Sequence, residues 1–414
     1  MISAESAHQR TSFPGILFAG LFVFPSLLMV ALGQSSMAVG LVVYVALVIV
    51  YVVADSLIFR PSSQVPRLPA ACVVLILAVL LFVIGHSSWL FLTQADFQSS
   101  RFTGSYLTLM FLGAGAIAYL NRLLTLEPSR ISSLVDQAIW FMIVNALIGL
   151  AAIDLFKYSS VKPIGVFSEP SHFGLALAPL LAYACANESR HYQFKLFFFF
   201  AWAVWIQNMT TLLVVILCFL ISVRGRFSSL AILTIILGAF ATIDAEYFIT
   251  RILVSTDSDN LSVVVLLSGW ETAAAMFSAS NGWGGGFQQF GFVGPIGELG
   301  ERVSQMTGES INRYDGGSTA AKLVGEFGMF GIALLLTVIV LSAKAFFRLR
   351  AASRSGESGV ILFSLGSVYT LVIELFARGV GYFSPTLFLG GCSIVLLLGA
   401  GDGAVSRHSR SDVA

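Results

Sequence analysis

The chain has 414 residues, of which 57% are hydrophobic and 11% are charged, whereas about a quarter of the residues of a soluble domain are charged. This imbalance indicates an integral membrane protein and excludes an ordinary soluble domain. The formal net charge of +1 gives no electrostatic support for binding nucleic acid. All four cysteines lie within apolar runs and form no CxxC pair, which argues against a disulfide framework or a cysteine metal site.

Apolar runs of roughly the length that crosses a bilayer recur along the whole chain. We predict twelve transmembrane helices, in residues 13–32, 37–59, 68–92, 105–120, 131–152, 171–186, 194–207, 209–223, 227–243, 319–343, 360–376 and 385–400. The division at Gln207-Asn208 decides the topology, because one continuous helix there would leave eleven spans and invert everything that follows.

The distribution of lysine and arginine decides between these two counts, because cytoplasmic loops carry an excess of both. With twelve spans and a cytoplasmic N-terminus, 15 of the 23 Lys and Arg lie inside and eight lie outside. With eleven spans the numbers are 12 and 11, which is no bias. We therefore predict twelve spans and cytoplasmic termini. The outer cations are then Arg101, Lys157, Lys162, Arg251, Arg302, Arg313, Lys322 and Arg378.

One long polar segment, Asp244–Ser318, separates the first nine predicted spans from the last three, and we call it the outer loop. It holds nine carboxylates and three arginines, together with aromatic residues such as Trp270 and Trp283. A loop of this length is usually functional or disordered, and its aromatic content favours a folded lid.

The sequence thus predicts an all-α polytopic membrane protein with about 12 transmembrane helices and one large helical outer loop between spans 9 and 10. Its parts are helices 1–9 in residues 1–243, the outer loop in residues 244–318, and helices 10–12 with a cytoplasmic tail in residues 319–414.

Ionisable residues at the mouths of predicted spans are candidates for function. Glu169 precedes Pro170 at the start of the sixth span, and His172 lies one turn in. Glu169 as a simple helix cap and His172 as a packing residue are open alternatives. Beside Lys157 and Lys162, however, these two residues could form an acid–base and anion site.

Two further intramembrane carboxylates belong to this class, namely Glu326 and Glu374. Arg378 lies one turn after Glu374, so a structural ion pair between them is the alternative reading.

Three patterns in the outer loop could be mistaken for binding sites or have a structural explanation. Asp257-Ser-Asp259 has a spacing by which some glycosyltransferases hold a divalent metal, but two carboxylates match that spacing often by chance, and we predict no metal. The glycines between Gly282 and Gly286 lack the strand and helix of a dinucleotide site and indicate a close-packed turn. In Leu261–Ser278 the apolar residues follow a helical period, which predicts a helix whose aromatic face lies on the bilayer.

Three stretches of the chain match the motifs of a known family: Gly165-Val-Phe-Ser-Glu-Pro-Ser-His-Phe173, the residues from Trp270 to Phe290, and Asp315–Gly331. The first resembles the signature that opens the sixth span of the Wzy-type O-antigen and exopolysaccharide polymerases. The second resembles the family pattern of Trp, three residues, Ala, and then GxG and an aromatic. The third resembles the family's return into the membrane, and with the span count the resemblance covers about the whole chain.

This resemblance implies a metal-independent glycosyltransferase of the bacterial inner membrane, with no cofactor and with its active site facing the periplasm. Its implied partners are undecaprenyl-pyrophosphate-linked glycans, the bilayer and, as a further candidate, a chain-length regulator. The implied reaction moves the growing glycan from undecaprenyl pyrophosphate onto a hydroxyl of an incoming lipid-linked repeat unit.

Such a transfer needs a base for the acceptor hydroxyl and cations for the departing pyrophosphate. Arginine suits the second task, because its planar fork binds phosphate oxygens in pairs and keeps its charge. We predict Glu169, His172 and Asp315, in that order of preference, as the base. We predict that the pyrophosphate is bound by Arg251, Arg313, Arg378 and Lys162.

Two alternatives remain at this stage. Relatives that ligate O-antigen to lipid A core carry a His-Asn pair just before the re-entrant stretch, where this chain has Gly317 and Ser318. A twelve-span flippase or other transporter would favour short outer loops and two related halves, and neither is visible here.

Overall fold

The computed structural model describes residues 15–58, 68–94, 97–151, 164–223, 255–256, 258–292, 294, 296–309, 312–355 and 357–399. In these ranges the chain is helical, and its only β feature is an isolated bridge between Ile164 and Phe167. The helices are α1 Gly15–Ala31, α2 Ala38–Ile58, α3 Ala70–Thr93, α4 Ser99–Leu123, α5 Pro128–Leu150, α6 Pro170–Ala186, α7 Tyr192–Trp205, α8 Met209–Ser222, α9 Leu261–Ala279, α10 Glu298–Thr307, α11 Thr319–Phe327, α12 Met329–Ser355, α13 Gly359–Phe376 and α14 Pro385–Gly399.

Seven of the described helices are long and apolar enough to cross a membrane, namely α2, α3, α4, α5, α9, α12 and α13. The chain is therefore a membrane protein with several spans, as its composition predicts. The ninth predicted span, residues 227–243, lies outside the described residues, and so the count of twelve stays a prediction. Two helices form the centre of the bundle: α13 packs against α6, α12 and α14, and α6 packs against α5 and α8.

The predicted division at Gln207-Asn208 is confirmed, since α7 ends at Trp205 and α8 begins at Met209. Gln207 has a left-handed backbone with a φ of 56°, which a continuing right-handed helix cannot include. The side chain of Asn208 then caps α8 by accepting a hydrogen bond from the amide of Thr211 at 2.7 Å.

The predicted tenth span, 319–343, is instead two helices, α11 and α12, divided at Gly328. This glycine has a φ of 56°, and a Cβ there would overlap the carbonyl of Gly282. Nearby, a Cβ at Gly331 would overlap the carbonyl of Leu323, so that α12 turns back closely against α11. The apolar sequence continues across the break, and hydropathy alone therefore does not reveal it.

The outer loop contains the two helices α9 and α10, which pack on each other, and α9 also packs on α11. The predicted helix 261–278 is confirmed, and the contact of its aromatic face with the bilayer stays a prediction. Trp270 and Phe277 pack against an internal cluster that includes Ala273, Met276 and Ala320. Small residues on α11 leave room for α9, and its aromatic rings are consequently partly buried within the protein.

Contacts between helices divide the helix ends into two groups, one at each end of the bundle. This division matches the prediction that successive spans cross the membrane in opposite directions. At one end, Arg122 of α4 pairs with Asp55 of α2 at 2.7 Å, and Lys195 of α7 pairs with Asp136 of α5. At the other end, His86 of α3 contacts the carbonyl of Trp283 in the outer loop at 2.9 Å. The positive-inside count assigns the first group to the cytoplasm.

This orientation predicts the labelling of single cysteines by a membrane-impermeant thiol reagent. A cysteine at exposed Ser278 should react in intact cells, and one at Ser353 only after permeabilisation. Background should be low, because all four native cysteines are buried. Labelling of the cysteine at 278 solely in permeabilised cells would reverse the orientation.

Candidate functional site

The first segment of the candidate site is the turn that leads into α6. Gly165 has a φ of 53°, and a Cβ there would overlap the amide of Asn145. The Asn145 side chain donates to the carbonyl of Ile164 at 3.1 Å and accepts from the amide of Val166 at 3.0 Å. A buried amide on α5 thus fixes this turn. Glu169 follows as the extended residue before Pro170, the first residue of α6.

Glu169 forms an ion pair with Arg378, a residue 209 positions further along the chain. The Arg378 Nη2 and Glu169 Oε2 atoms lie 2.7 Å apart, and the hydroxyl of Ser171 donates to the same oxygen at 2.8 Å. The two side chains are partly open to solvent, with 43% of Glu169 and 27% of Arg378 exposed. A ligand can therefore reach both groups.

The pair sets the charge state of Glu169. Burial, the largest single effect, would raise the pKa of its carboxyl group, but the Arg378 guanidinium, the neighbouring His172 and the hydrogen bonds from Ser171 and Arg378 together outweigh burial and lower that pKa below its usual value. Glu169 is therefore an ionised carboxylate at neutral pH. A ligand that drew Arg378 away would remove the main cause of the lowered pKa and strengthen the carboxylate as a base.

The alternative pairing of Glu374 with Arg378 is wrong. Glu374 is buried near the end of α13, where it accepts a hydrogen bond from the hydroxyl of Ser384. Arg378 lies beyond the end of that helix, and its guanidinium reaches across to α6. The spacing of four residues brings two side chains together only where the helix continues through both of them.

A second ion pair joins Asp315, at the end of the outer loop, to Lys322 of α11. The Lys322 ammonium lies 3.0 Å from Asp315 Oδ1 and 2.7 Å from the carbonyl oxygen of Tyr314. It also lies over the ring of Tyr382, 5.2 Å from its centroid. Lys322 is only 1% exposed, whereas Asp315 is 46% exposed. The lysine is therefore a buried cation whose carboxylate partner faces solvent.

The connection between α13 and α14, residues 377–384, brings the two pairs together. The amide of Gly379 donates to the carbonyl of Gly317 at 3.3 Å, and a Cβ at Gly379 would overlap Ser318. A Cβ at Gly381 would lie 3.1 Å from Asp315 Oδ1. These glycines allow the segment that carries Arg378 to lie directly on the first turn of α11, beside Asp315.

The N-terminus of α11 adds positive electrostatic potential at this place, because its first amides have no partner within the helix. Ser318 satisfies one of them by accepting from the amide of Ala321 at 3.2 Å. The neighbouring Thr319 hydroxyl is buried and has no partner among the described residues. The first turn is buried, so that with Lys322 and Arg378 close by it contributes positive potential rather than open donors.

Glu326 connects α11 to the glycine-rich part of the outer loop. Its carboxylate accepts a hydrogen bond from the amide of Phe290 at 3.0 Å, and its carbonyl accepts one from Gly286 at 2.8 Å. A Cβ at Gly284 would overlap the same carbonyl. The predicted close-packed turn is therefore present, and Glu326 serves to hold it.

No protein-family model matches the chain. Neither curated proteins nor solved structures include a significant match to it.

The remaining predicted site residues lie in several places. His172 is buried, and its Nδ1 atom lies 2.7 Å from the hydroxyl of Ser168, which favours the packing alternative. Arg313 donates to the carbonyl of Gly291 at 3.0 Å. Arg251 and Lys162 lie outside the described residues.

The acidic pattern in the outer loop is only partly described. Asp257 lies outside the described residues, and Asp259 pairs with Arg302 at 3.2 Å. In the part of the chain that the structure describes, no three His, Cys, Asp or Glu side chains form a group that could hold a metal ion.

Lys322 is one of the predicted outer cations but is not among the predicted site residues. The signal was present, since a lysine four residues after a capping serine, within a predicted span, is an intramembrane charge of the kind that marks function. The role of Asn145 could not be predicted, because a single amide side chain in an apolar span does not indicate which turn it will form hydrogen bonds with.

Chemically, the site offers two carboxylates, two cations and a helix N-terminus at one end of the bundle. Glu169 and Asp315 can accept a proton, and Arg378 and Lys322 can stabilise negative charge. This set of groups suits the transfer of a group away from an anionic leaving group.

Proposed function

We propose that this protein polymerises lipid-linked oligosaccharides at the outer face of the bacterial inner membrane. It transfers the growing glycan from undecaprenyl pyrophosphate to a hydroxyl group of an incoming lipid-linked repeat unit. The observation that carries the proposal is the ion pair of Glu169 and Arg378. This pair joins the opening of α6, which resembles the family signature, to Arg378. The segment that carries Arg378 packs on the first turn of α11, and α11 belongs to the stretch that resembles the family's return into the membrane.

In this proposal the partly exposed Arg378 binds the pyrophosphate, and the buried Lys322 ammonium and the N-terminus of α11 add positive electrostatic potential beside it. The negative charge that develops on the leaving group would lie where a helix N-terminus and two cations already stand, so that little reorganisation is needed. Arg378 can offer two parallel hydrogen bonds, whereas Lys322 acts as a point charge.

Glu169 is the proposed base. Pyrophosphate competes with Glu169 for Arg378, and the arrival of the donor therefore releases the carboxylate at the moment when a proton must be removed. Asp315 is the second choice, since Lys322 holds it in the same way and it is half exposed. His172 is the third, because it is buried and held by Ser168.

The related ligase reaction is less well supported. At the position of the ligase histidine this chain has Gly317, whose φ is 63° and where a Cβ would lie against the carbonyl of Val265. A histidine side chain does not fit there. The transporter alternative is also less well supported, because the sequence shows no related halves. Among the buried charges of the described residues, the Asp55–Arg122 pair lies at the opposite end of the bundle from the site.

The deciding experiment is a reconstituted reaction of the purified full-length protein with the lipid-linked repeat unit of its own cell. A ladder of lipid-linked glycans of increasing length is the expected product. In cells, loss of the gene should leave lipid A core with a single repeat. Bare core with polymer kept on the carrier would favour a ligase, and single repeats trapped inside would favour a flippase.

We further expect that this reaction proceeds unchanged in excess EDTA. The cationic side chains Arg378 and Lys322 supply the positive charge, and Asp259 of the DxD pattern is engaged by Arg302. The measurement is the rate of ladder formation with and without chelator. Loss of activity that Mg²⁺ or Mn²⁺ restores would transfer the pyrophosphate to Asp257 and Asp259.

A further inference from the structure

The outer loop contains a groove between α9, α10, the residues Phe290, Gly291 and Gly294, and the segment 312–316. Its empty volume is about 510 Å³ with the open mouth included, which is room for one residue of a ligand that continues outside. Gly316 lies in its wall and is followed after one residue by Ser318, the cap of α11, so that the groove adjoins the candidate site.

Polar groups that lack protein partners converge on this groove. The Ser268 hydroxyl and the Asn312 amide line it, and neither has a hydrogen-bond partner among the described residues. Arg313 also lines it, and its Nε atom donates to the carbonyl of Gly291, the one hydrogen-bond partner of its guanidinium among the described residues. A few convergent polar groups in a concave site are typical of ligand recognition. A ligand rich in hydroxyl groups would satisfy these three side chains.

The charge beside the groove points to an anionic ligand. Arg313 is the one charged side chain among the described residues that line it. A second arginine, Arg101, contacts the same ring: the guanidinium carbons of Arg313 and Arg101 lie 5.7 and 5.1 Å from the centroid of Tyr314. Neither arginine forms an ion pair with a carboxylate in the described part of the chain. Two neighbouring cations without an acidic partner favour a negatively charged ligand.

An aromatic surface lies at the same place. The rings of Phe292 and Tyr314 stack with centroids 4.3 Å apart, and Arg101 also lies 4.6 Å from the Phe292 centroid. Tyr314 is 38% exposed. A flat, partly exposed ring offers contact area at low entropic cost, and the apolar face of a sugar ring can lie on it.

We propose that this groove binds an acidic sugar of the glycan, whose carboxylate is held by the free fork of Arg313 with Arg101 beside it. The inference rests on the proposed function, which supplies the glycan as the ligand. It assigns Arg313 to recognition of the sugar and leaves the pyrophosphate to Arg378 and Lys322. The repeat unit then carries a uronic acid or a similar carboxylated sugar.

The test measures binding of two soluble disaccharides to the full-length protein in lipid nanodiscs by calorimetry. One contains glucuronic acid, and the other contains glucose in its place. We expect the acidic disaccharide to bind and Arg313→Ala to weaken its binding by roughly tenfold to a hundredfold, as the loss of a charge-assisted hydrogen bond predicts. Ser268→Leu, which fills the groove without changing charge, should weaken it too. Arg302→Ala, on the same loop but paired with Asp259, should leave it unchanged.

Three outcomes would overturn the inference. They are equal binding of the acidic and neutral disaccharides, unchanged binding in both Arg313→Ala and Ser268→Leu, and displacement of the disaccharide by inorganic pyrophosphate at equal concentration. Because the assay needs neither lipid carrier nor turnover, its result is separate from the polymerisation test. Binding without polymerisation would refute the proposed reaction, and polymerisation without binding would refute this site.

Discussion

Arg378→Ala should reduce the rate of polymerisation by about a hundredfold to a thousandfold, the range seen when one preorganised donor to a developing negative charge is removed. Arg378 is partly exposed, lies against the first turn of α11 and is positioned by its bond to Glu169. Its loss removes the guanidinium from the leaving group and also frees Glu169 from its partner. The measurement is the initial rate of ladder formation with purified carrier-linked substrates.

The matched control is Arg302→Ala, because Arg302 is an arginine of the outer loop that binds Asp259 and the carbonyl oxygen of Ser258. It should keep nearly the full rate. Arg378→Lys should recover only part of the lost activity, since lysine keeps the charge but not the two-pronged geometry. Equal rates in Arg378→Ala and Arg302→Ala, in protein of normal yield and thermal stability, would remove Arg378 from the mechanism.

Glu169→Gln should lower the rate by roughly 10²- to 10⁴-fold, the usual contribution of a general base. The amide keeps the size of the side chain and can still accept a hydrogen bond from Ser171, so that the opening of α6 should persist. Binding of the carrier substrate should be retained. An unchanged rate in folded Glu169→Gln would pass the role to Asp315, for which Asp315→Asn is the corresponding variant.

The structure adds a pH signature to this prediction. In the free protein the Arg378 guanidinium holds the pKa of Glu169 below its usual value. Bound pyrophosphate offsets that guanidinium and therefore raises the pKa of Glu169 in the complex. The acidic limb of the pH profile of kcat/KM reports the pKa of the base in the free protein, and the acidic limb of the pH profile of kcat reports its pKa in the complex with substrate. We accordingly expect the limb of kcat to lie at higher pH, and both limbs to vanish in Glu169→Gln.

Most of the helices could be predicted from the sequence, because apolar runs in a membrane protein end where charge, proline or glycine appears. The run 171–186 matches α6 to within one residue, and the run 385–400 matches α14 equally well. The division at Gln207-Asn208 was also correct, since the Lys/Arg count is a physical signal independent of hydropathy. The break at Gly328 could not be seen in this way, because both sides of it are apolar and its cause is the approach of the distant Gly282.

Several residues of the candidate site could be predicted from the sequence, but which of them form ion pairs with each other could not. An ionisable group in or at the mouth of an apolar span marks itself as unusual, and this rule found Glu169 and Arg378. Which groups meet depends on how far α13 continues and on the glycines at 379 and 381, which no local pattern reveals. For this reason the sequence suggested a Glu374–Arg378 pair, and Lys322 was not assigned to the site.

The short length of α11 has a consequence for how the protein is made. Its nine residues extend about 14 Å, less than half of a hydrocarbon core of roughly 30 Å. The translocon cannot release α11 into lipid as an independent span, because the backbone groups at its ends would be left without partners. Those partners are supplied by the glycine-rich turn and by the connection after α13, which is synthesised later. The polar site is therefore assembled last, and a nascent chain that stops before residue 384 should expose it to proteolysis.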